Sequence, residues 1–552
     1  MKNAFAKLSC SLVLASIGTA AAAGTVVHNV TGYTPTAGSG ILEFTTLVVD
    51  DAGRVAAVGG DELADEYPDS RRIDGRGLFV LPGLTDAHAH LASFGYLASS
   101  VDLAGAPSLD SALQRIAAFG EANPGAQFIT GRGWNQVLWA GRQFPTAADI
   151  DSVLADRPVW LRRIDGHAGW ANSRMLALAG IDDDTPDPTG GKIIRNADGK
   201  ATGVLIDMAM ALVEDVIPDP GRDDIRRAYL EAVPLLLELG MTGMHDAGVS
   251  TSEAEVLISM VDNDELDMRV YAMISDTGEH LDALQEPLER YGNDRLDIRS
   301  VKIYADGALG SRGAALLEPY SDDEENRGLP FLSGDELIAK VDKANRMGFQ
   351  VAVHAIGDLG NRLALDAFEA VQNGKPSPLR NRIEHAQIIA LEDIPRFAEL
   401  GVIASVQPIH ATSDMNMAED RVGKERIKGG YAWRRLLDSG AHLAGGSDFP
   451  VEPPDPFLGL YAAVTRKDRD GNPPNGWYAD QAMTRAEALR SFTLGAAYAA
   501  HQENYLGSLE PGKWADFIIV DRDYFEIPAS EIDDIEVLET WVAGERVYQG
   551  AD

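Results

Sequence analysis

The sequence predicts an α/β chain built on a (β/α)8 TIM barrel, with a small β-sandwich assembled from both termini and an insertion after the first barrel strand. Three observations predict it. Short apolar strands alternate with amphipathic helices through the second half of the chain, which implies a parallel sheet. Both ends instead read as paired strands joined by turns. Residues 100–240 interrupt the alternation after a single strand, and are rich in turns such as "DDDTPDPTGGK".

At the start, "MKNAFAKLSCSLVLASIGTAAAAG" places Lys2 and Lys7 before an apolar stretch from Leu8 to Ile17 and then small residues. Residues 1–23 are therefore expected to be a secretory signal peptide, with a periplasmic or secreted product. The apolar stretch is shorter than the ~20 residues of a spanning helix, so no membrane anchor is expected in the mature form. Residues 24–80 and 505–552 are assigned to the β-sandwich. "FTTLVVDDAGRVAAVGG" reads as a hairpin turning at Asp50, Asp51 and Gly53, while "ADFIIVDRD" and "LETWVAGERVYQG" supply strands at the far end.

Residues 81–504 form the barrel, with 100–240 as an inserted subdomain that shapes the substrate pocket. Its eight strands are expected near 86, 244, 271, 302, 352, 383, 404 and 446. The intervening helices carry their own start signals. "SGDELIAKVDKANRMG" opens with Ser333 and Glu336 as a capping box, and "TRAEALRSF" does the same with Thr484 and Glu487.

Composition narrows the partners. The 552-residue chain has 48 Lys and Arg against 85 Asp and Glu, a net charge of −37, which repels nucleic acid and anionic lipid. A small-molecule substrate is the expected partner, and assembly into a homo-oligomer is left open. The single cysteine, Cys10, lies in the signal. Any metal must then be held by His, Asp, Glu or Lys.

The strand ends carry that chemistry. In "LPGLTDAHAHL", His88 and His90 stand two apart on an extended strand, so both imidazoles face one point. The fourth strand carries Lys302, the fifth ends at His354, the sixth at His385 and the eighth at Asp448. Active sites of such barrels form at the C-terminal ends of the strands, so six metal-competent groups converge on one mouth. Asp86 and His245 are expected just behind them, with His245 hydrogen-bonding a ligand or Asp86.

With these residues the sequence resembles the amidohydrolase superfamily, and within it the group called amidohydrolase family 3. The resemblance runs through "LPGLTDAHAHL", "GRGW", "DGHAGWANS", "VKIYADGALGSRGA", "VAVHAIGD", "RIEHAQ", "SVQP", "GGSDFPVE" and "GSLEPGKWADFIIVDRD". It implies two divalent ions, most often Zn²⁺, bridged by a CO2-derived carbamate on Lys302. On that resemblance His88, His90 and Asp448 serve one ion, and His354 and His385 the other. It further implies a metal-bridging hydroxide as nucleophile, with Asp448 as the catalytic proton carrier. A shell of imidazole nitrogen and carboxylate oxygen suits Zn²⁺, with Mn²⁺ or Fe²⁺ as alternatives.

The expected reaction is hydrolysis of a C–N bond in an amide, N-acyl or cyclic-amide small molecule. An esterase or lactonase on the same centre, a mononuclear deaminase and a metal-free binding protein are the alternatives. Arg312 in "GALGSRGA", His167 and Trp134 in the insertion, and His410 after "SVQP" are the expected substrate contacts.

Overall fold

A computed structural model describes residues 24–38, 40–164, 166–276, 281 and 286–550. The expected signal, residues 1–23, lies outside the described residues. Eight parallel strands form the barrel: β1 (Leu84–Ala89), β2 (Met241–Val249), β3 (Arg269–Ser275), β4 (Leu296–Tyr304), β5 (Gln350–Ala355), β6 (Arg382–His385), β7 (Ile403–Val406) and β8 (Leu443–Gly445). Each pairs with its sequence neighbour in parallel register from β1 through β8. The two ends of this sheet meet, because Asp448 N–H donates to His88 O at 2.7 Å and His90 N–H to Phe449 O at 2.9 Å. The barrel is thus nearly closed.

Small side chains let it close. Ala87, Ile403 and Ala444 pack against Ala496 and Ala499 of the helix Leu494–Ala499, which plugs the end opposite the active mouth. Gln350 Nε2 fastens this plug by donating to Ala499 O at 2.8 Å. On the outside, the helices present apolar faces to the strands. In Gly334–Arg346, Leu337, Val341 and Ala344 are buried at the i, i+4, i+7 spacing of one helical face, and Ser333 with Glu336 caps its start.

The terminal strands form one hydrogen-bonded sheet of eight. Phe79–Pro82, which leads directly into β1, pairs antiparallel with Phe517–Val520 from the other end of the chain. Residues of both ends fill its core, including Val27, Leu47 and Val80 beside Phe517 and Trp541.

Between β1 and β2 lies a second sheet of six strands, running from Val101–Asp102 to Ala201–Asp207 in sequence. Its core is aromatic. Trp134, Trp139 and Trp170 meet with ring centroids 6.2 to 6.4 Å apart. Among the described residues no helix is long and apolar enough to cross a membrane.

Candidate metal centre

β1 ends in alternation, so Asp86, His88 and His90 emerge on one side, and the loop after β8 brings Asp448 to meet them. Asp448 Oδ1 lies 3.1 Å from His90 Nε2 and 3.6 Å from His88 Nε2. Its backbone turns through φ 64° there, and His385 through φ 72°. A left-handed backbone at a non-glycine residue is strained, and it aims each side chain away from its strand and into the mouth.

The remaining groups close around this pair. Lys302 is buried, with Nζ 3.3 Å from His88 Nε2. The His385 ring stands 4.7 Å from His88 and 4.5 Å from His354. His410, from the helix Pro408–Asp414, places Nε2 3.8 Å from Asp448 Oδ2. Two sets have their ligand atoms within 4.8 Å of one another: His88, His90 and Asp448, and His385, His410 and Asp448. Asp448 belongs to both. The second set brings in His410, expected as a substrate contact, while His354, expected as a ligand, stands beside it with its ring 4.5 Å from His385 and its Nε2 3.7 Å from Asp306.

The residues fit divalent ions. Asp448 Oδ1, His354 Nε2 and His410 Nε2 are buried without a hydrogen-bond partner in the protein. Buried polar atoms are rarely left so, and three of them at one mouth, all of metal-binding types, indicate a ligand site. Protonation states agree. Burial, then the neighbouring Lys302 charge, pushes His88 down to about 4 and His354 to about 3, so both imidazoles are neutral. Burial would raise Asp448, but His90, His88 and His410 outweigh it and hold the carboxyl at about 2. Burial lowers the Lys302 amine to about 8.

Behind the ligands lies a buried ion pair that the sequence reading missed. Glu384 Oε2 is 2.5 Å from His88 Nδ1, and Arg382 donates to both Glu384 oxygens at 2.5 and 3.0 Å. Burial opposes the charge on Glu384, yet Arg382 holds its carboxyl well below the usual range, so it can only accept. His88 Nδ1 must therefore carry the proton, which leaves the Nε2 lone pair facing the mouth. Gln407 does the same for His385, its Oε1 2.8 Å from Nδ1. Asp86 pins the loop of Asp448 to β1, accepting from Ser447 N at 2.9 Å and Ser447 Oγ at 2.6 Å. Gly446 makes room for this, since a Cβ there would sit 2.5 Å from Asp86 Oδ1 and 2.7 Å from His88 N.

Comparison with known proteins gives the arrangement its relatives. The pattern of the Amidohydrolase family matches residues 71–548. The chain belongs to the amidohydrolase family. Among its amidohydrolase and other relatives, Protein LONG AFTER FAR-RED 3 of Arabidopsis thaliana is 34% identical over 528 residues, covering 92% of this chain and 89% of the relative. N-substituted formamide deformylase of Arthrobacter pascens is 30% identical over 524 residues, covering 91% and 94%. The crystal structure of an uncharacterized metal-dependent hydrolase from Pyrococcus furiosus superposes with a TM-score of 0.77 at 31% identity, covering 91% of this chain and 100% of that one.

In this amidohydrolase Trp134, His167 and Arg312, expected as substrate contacts, each have a partner within the protein. Trp134 is wholly buried in the inserted sheet and donates from Nε1 to Leu161 O at 2.7 Å, so it is core and not pocket. His167 is exposed and pairs with Asp207 within the insertion at 2.9 Å. Arg312 is held by Asp322 through contacts of 3.1 and 3.0 Å. His245 bonds neither a ligand nor Asp86; its Nδ1 accepts from Arg382 Nη1 at 2.9 Å. Tyr304, unnoticed in the sequence, stands at the mouth with its ring 5.0 Å from Lys302 Nζ and 5.1 Å from the His354 ring. It lies two residues beyond Lys302 on β4, and the alternation that turned Lys302 inward could have identified it.

Proposed function

We propose that this amidohydrolase is an exported, binuclear zinc enzyme that hydrolyses the C–N bond of an amide, N-acyl or cyclic-amide small molecule. One observation carries the reading: Asp448 is shared by both compact ligand sets and has a buried oxygen that accepts no hydrogen bond within the protein. His88 and His90 would hold one ion with Asp448, His385 and His410 the other, with His354 beside it. Lys302, carboxylated by CO2, would join them. Its amine at about 8 retains a neutral fraction able to attack CO2 near physiological pH.

When bound, the ions supply Lewis acidity, which lowers the pKa of a shared water toward neutrality and polarises the amide carbonyl. The side chains do the rest. Asp448 is ionised and accepts a proton from the attacking water, then returns it to the leaving nitrogen. Tyr304, with its ring 5.1 Å from the His354 ring, is a donor available to the carbonyl oxygen. The name of the Arthrobacter pascens relative supports an N-substituted formamide as the first substrate to try.

The test combines metal analysis with a hydrolysis screen of N-substituted formamides, N-acyl amino acids, cyclic amides and esters, on protein prepared with zinc and bicarbonate. Two ions per chain and turnover of an amide are expected. One ion per chain would favour a deaminase, and turnover confined to esters or lactones would move the reaction to C–O bonds. Cell fractionation tests export, with the processed chain expected outside the cytoplasm.

A further inference from the structure

The two segments that carry His385 and His410 both reach one buried tyrosine. β6 ends at His385, where φ is 72°, and Ala386 follows at φ 42°. Two successive left-handed residues without glycine are costly, so such a kink persists only where the chain beyond it is held. Gln387, two residues past His385, is held twice. Its carbonyl accepts from the Tyr431 amide at 2.7 Å, and its Nε2 donates to Asp414 Oδ2 at 2.7 Å.

Asp414 closes the helix Pro408–Asp414 and stands four residues after His410. Side chains at i and i+4 lie on one helical face, so what fixes Asp414 also fixes the rotation that points His410 at Asp448. The Tyr431 hydroxyl donates to the same Asp414 Oδ2 at 2.6 Å and accepts from Gln387 Nε2. One oxygen of Asp414 thus gathers a donor from the loop after β6 and a donor from Tyr431.

Tyr431 is itself locked in place. It is buried, its backbone is left-handed at φ 48°, and its carbonyl accepts from Arg466 Nη1 at 3.0 Å. Arg466 is buried as well, its guanidinium 4.3 Å from the Trp433 ring and 5.3 Å from the Trp477 ring. The Tyr431 ring meets Trp477 at 5.3 Å. Among the described residues no hydrogen bond joins Tyr431, Gln387 or Asp414 to β1, the strand of His88 and His90.

We infer that Tyr431 is a positioning residue for the metal centre: its hydroxyl clamps the loop after His385 to the helix of His410 and so sets the spacing of the two imidazoles. Their rings stand 6.0 Å apart, 26° from parallel. The inference rests on the binuclear reading above and ties Tyr431 to one of its two ions, the one that His385 and His410 would hold with Asp448.

The clamp can be read without turnover. The full chain, loaded with cobalt(II) and bicarbonate, is titrated with a chelator of known affinity while its visible absorption reports the cobalt that stays bound. The parent is compared with Tyr431→Phe, Asp414→Ala and Asp414→Asn. Phenylalanine keeps the ring on Trp477 and removes one oxygen. Asp414 is only half-buried, so Asp414→Ala decides the matter should Tyr431→Phe not fold. The parent is expected to hold two equivalents. In Tyr431→Phe and Asp414→Ala one equivalent should be held as in the parent and the other about 10- to 100-fold more weakly, with Asp414→Asn, which keeps an acceptor oxygen, recovering most of the loss. Tyr524→Phe deletes another buried tyrosine hydroxyl, bonded to Arg485 O at 3.0 Å, and should titrate like the parent. Parental affinity for both equivalents in either clamp variant overturns the inference, and so does equal weakening of the two, which a general loosening would give. A parent that holds only one equivalent refutes the binuclear reading itself, and the clamp on a second ion with it.

Discussion

Replacing Glu384 by Gln tests how the protein prepares His88 for a metal. Three contacts converge on this carboxylate: His88 Nδ1 at 2.5 Å, and Arg382 Nε and Nη2 at 2.5 and 3.0 Å. All three partners are donors. Glutamine keeps one acceptor oxygen but turns an NH2 toward Arg382 Nε, or toward both His88 Nδ1 and Arg382 Nη2, so one or two donors lose their acceptor. Arg382 is fully buried and would lose its counter-charge, and removing one member of a buried pair costs about 3–5 kcal/mol. His88 would lose the contact that fixes its tautomer, and changes behind a metal-bound histidine weaken metal binding by about 10- to 100-fold, or about 1.4–2.7 kcal/mol. Zinc affinity is measured by competition with a chromogenic chelator, and stability by urea unfolding of the metal-free protein. His245→Gln is the control, because His245 touches Arg382 but not Glu384 or a ligand. It should reduce stability and leave zinc affinity within a few-fold of the parent. Unchanged zinc affinity in Glu384→Gln would refute the reasoning, whatever its stability.

Three further outcomes are expected. Asp448→Asn should keep the circular dichroism spectrum of the parent and lose about 10²- to 10⁴-fold in kcat, because an amide cannot carry the proton. Reactivation of metal-free protein by zinc and bicarbonate should quicken as pH rises through about 8, where buried Lys302 becomes neutral, and should be flat across that range in Lys302→Arg. Gly446→Ala should lose metal content as measured by elemental analysis, since its Cβ would press on Asp86 and the His88 amide at 2.5 and 2.7 Å.

Much of this centre was legible because barrel chemistry sits at strand ends, and a strand end is visible in sequence as an apolar run that stops at a polar residue. That logic found His88, His90, Lys302, His354, His385 and Asp448, which the structure brings to one mouth. It failed wherever a residue's role depends on what lies across from it. Arg382 and Glu384 in "RIEHAQ" look like ordinary strand charges until the fold buries them both against His88. Trp134 lies in "GRGW", a stretch that resembles the family's, yet such a stretch marks a stable core as readily as a pocket, and three indoles pack it shut. His410 was read as a substrate contact because its loop lies at the mouth; only the turn of the helix Pro408–Asp414 puts its Nε2 beside Asp448.

The pairing of Phe79–Pro82 with Phe517–Val520 bears on how the molecule is made. The Leu509 amide and the Thr34 hydroxyl bond at 2.7 Å across 475 positions of chain, and the strand Phe79–Pro82 gains its second neighbour, Phe517–Val520, only when synthesis is almost finished. Closing so long a loop is slow, and its entropy must be met before the contact is rewarded. The strand that bears His88 and His90 hangs directly from that late seam. A nascent chain stalled before Phe517 would hold all of its histidines and still lack the outer neighbour of the strand that leads into His88 and His90.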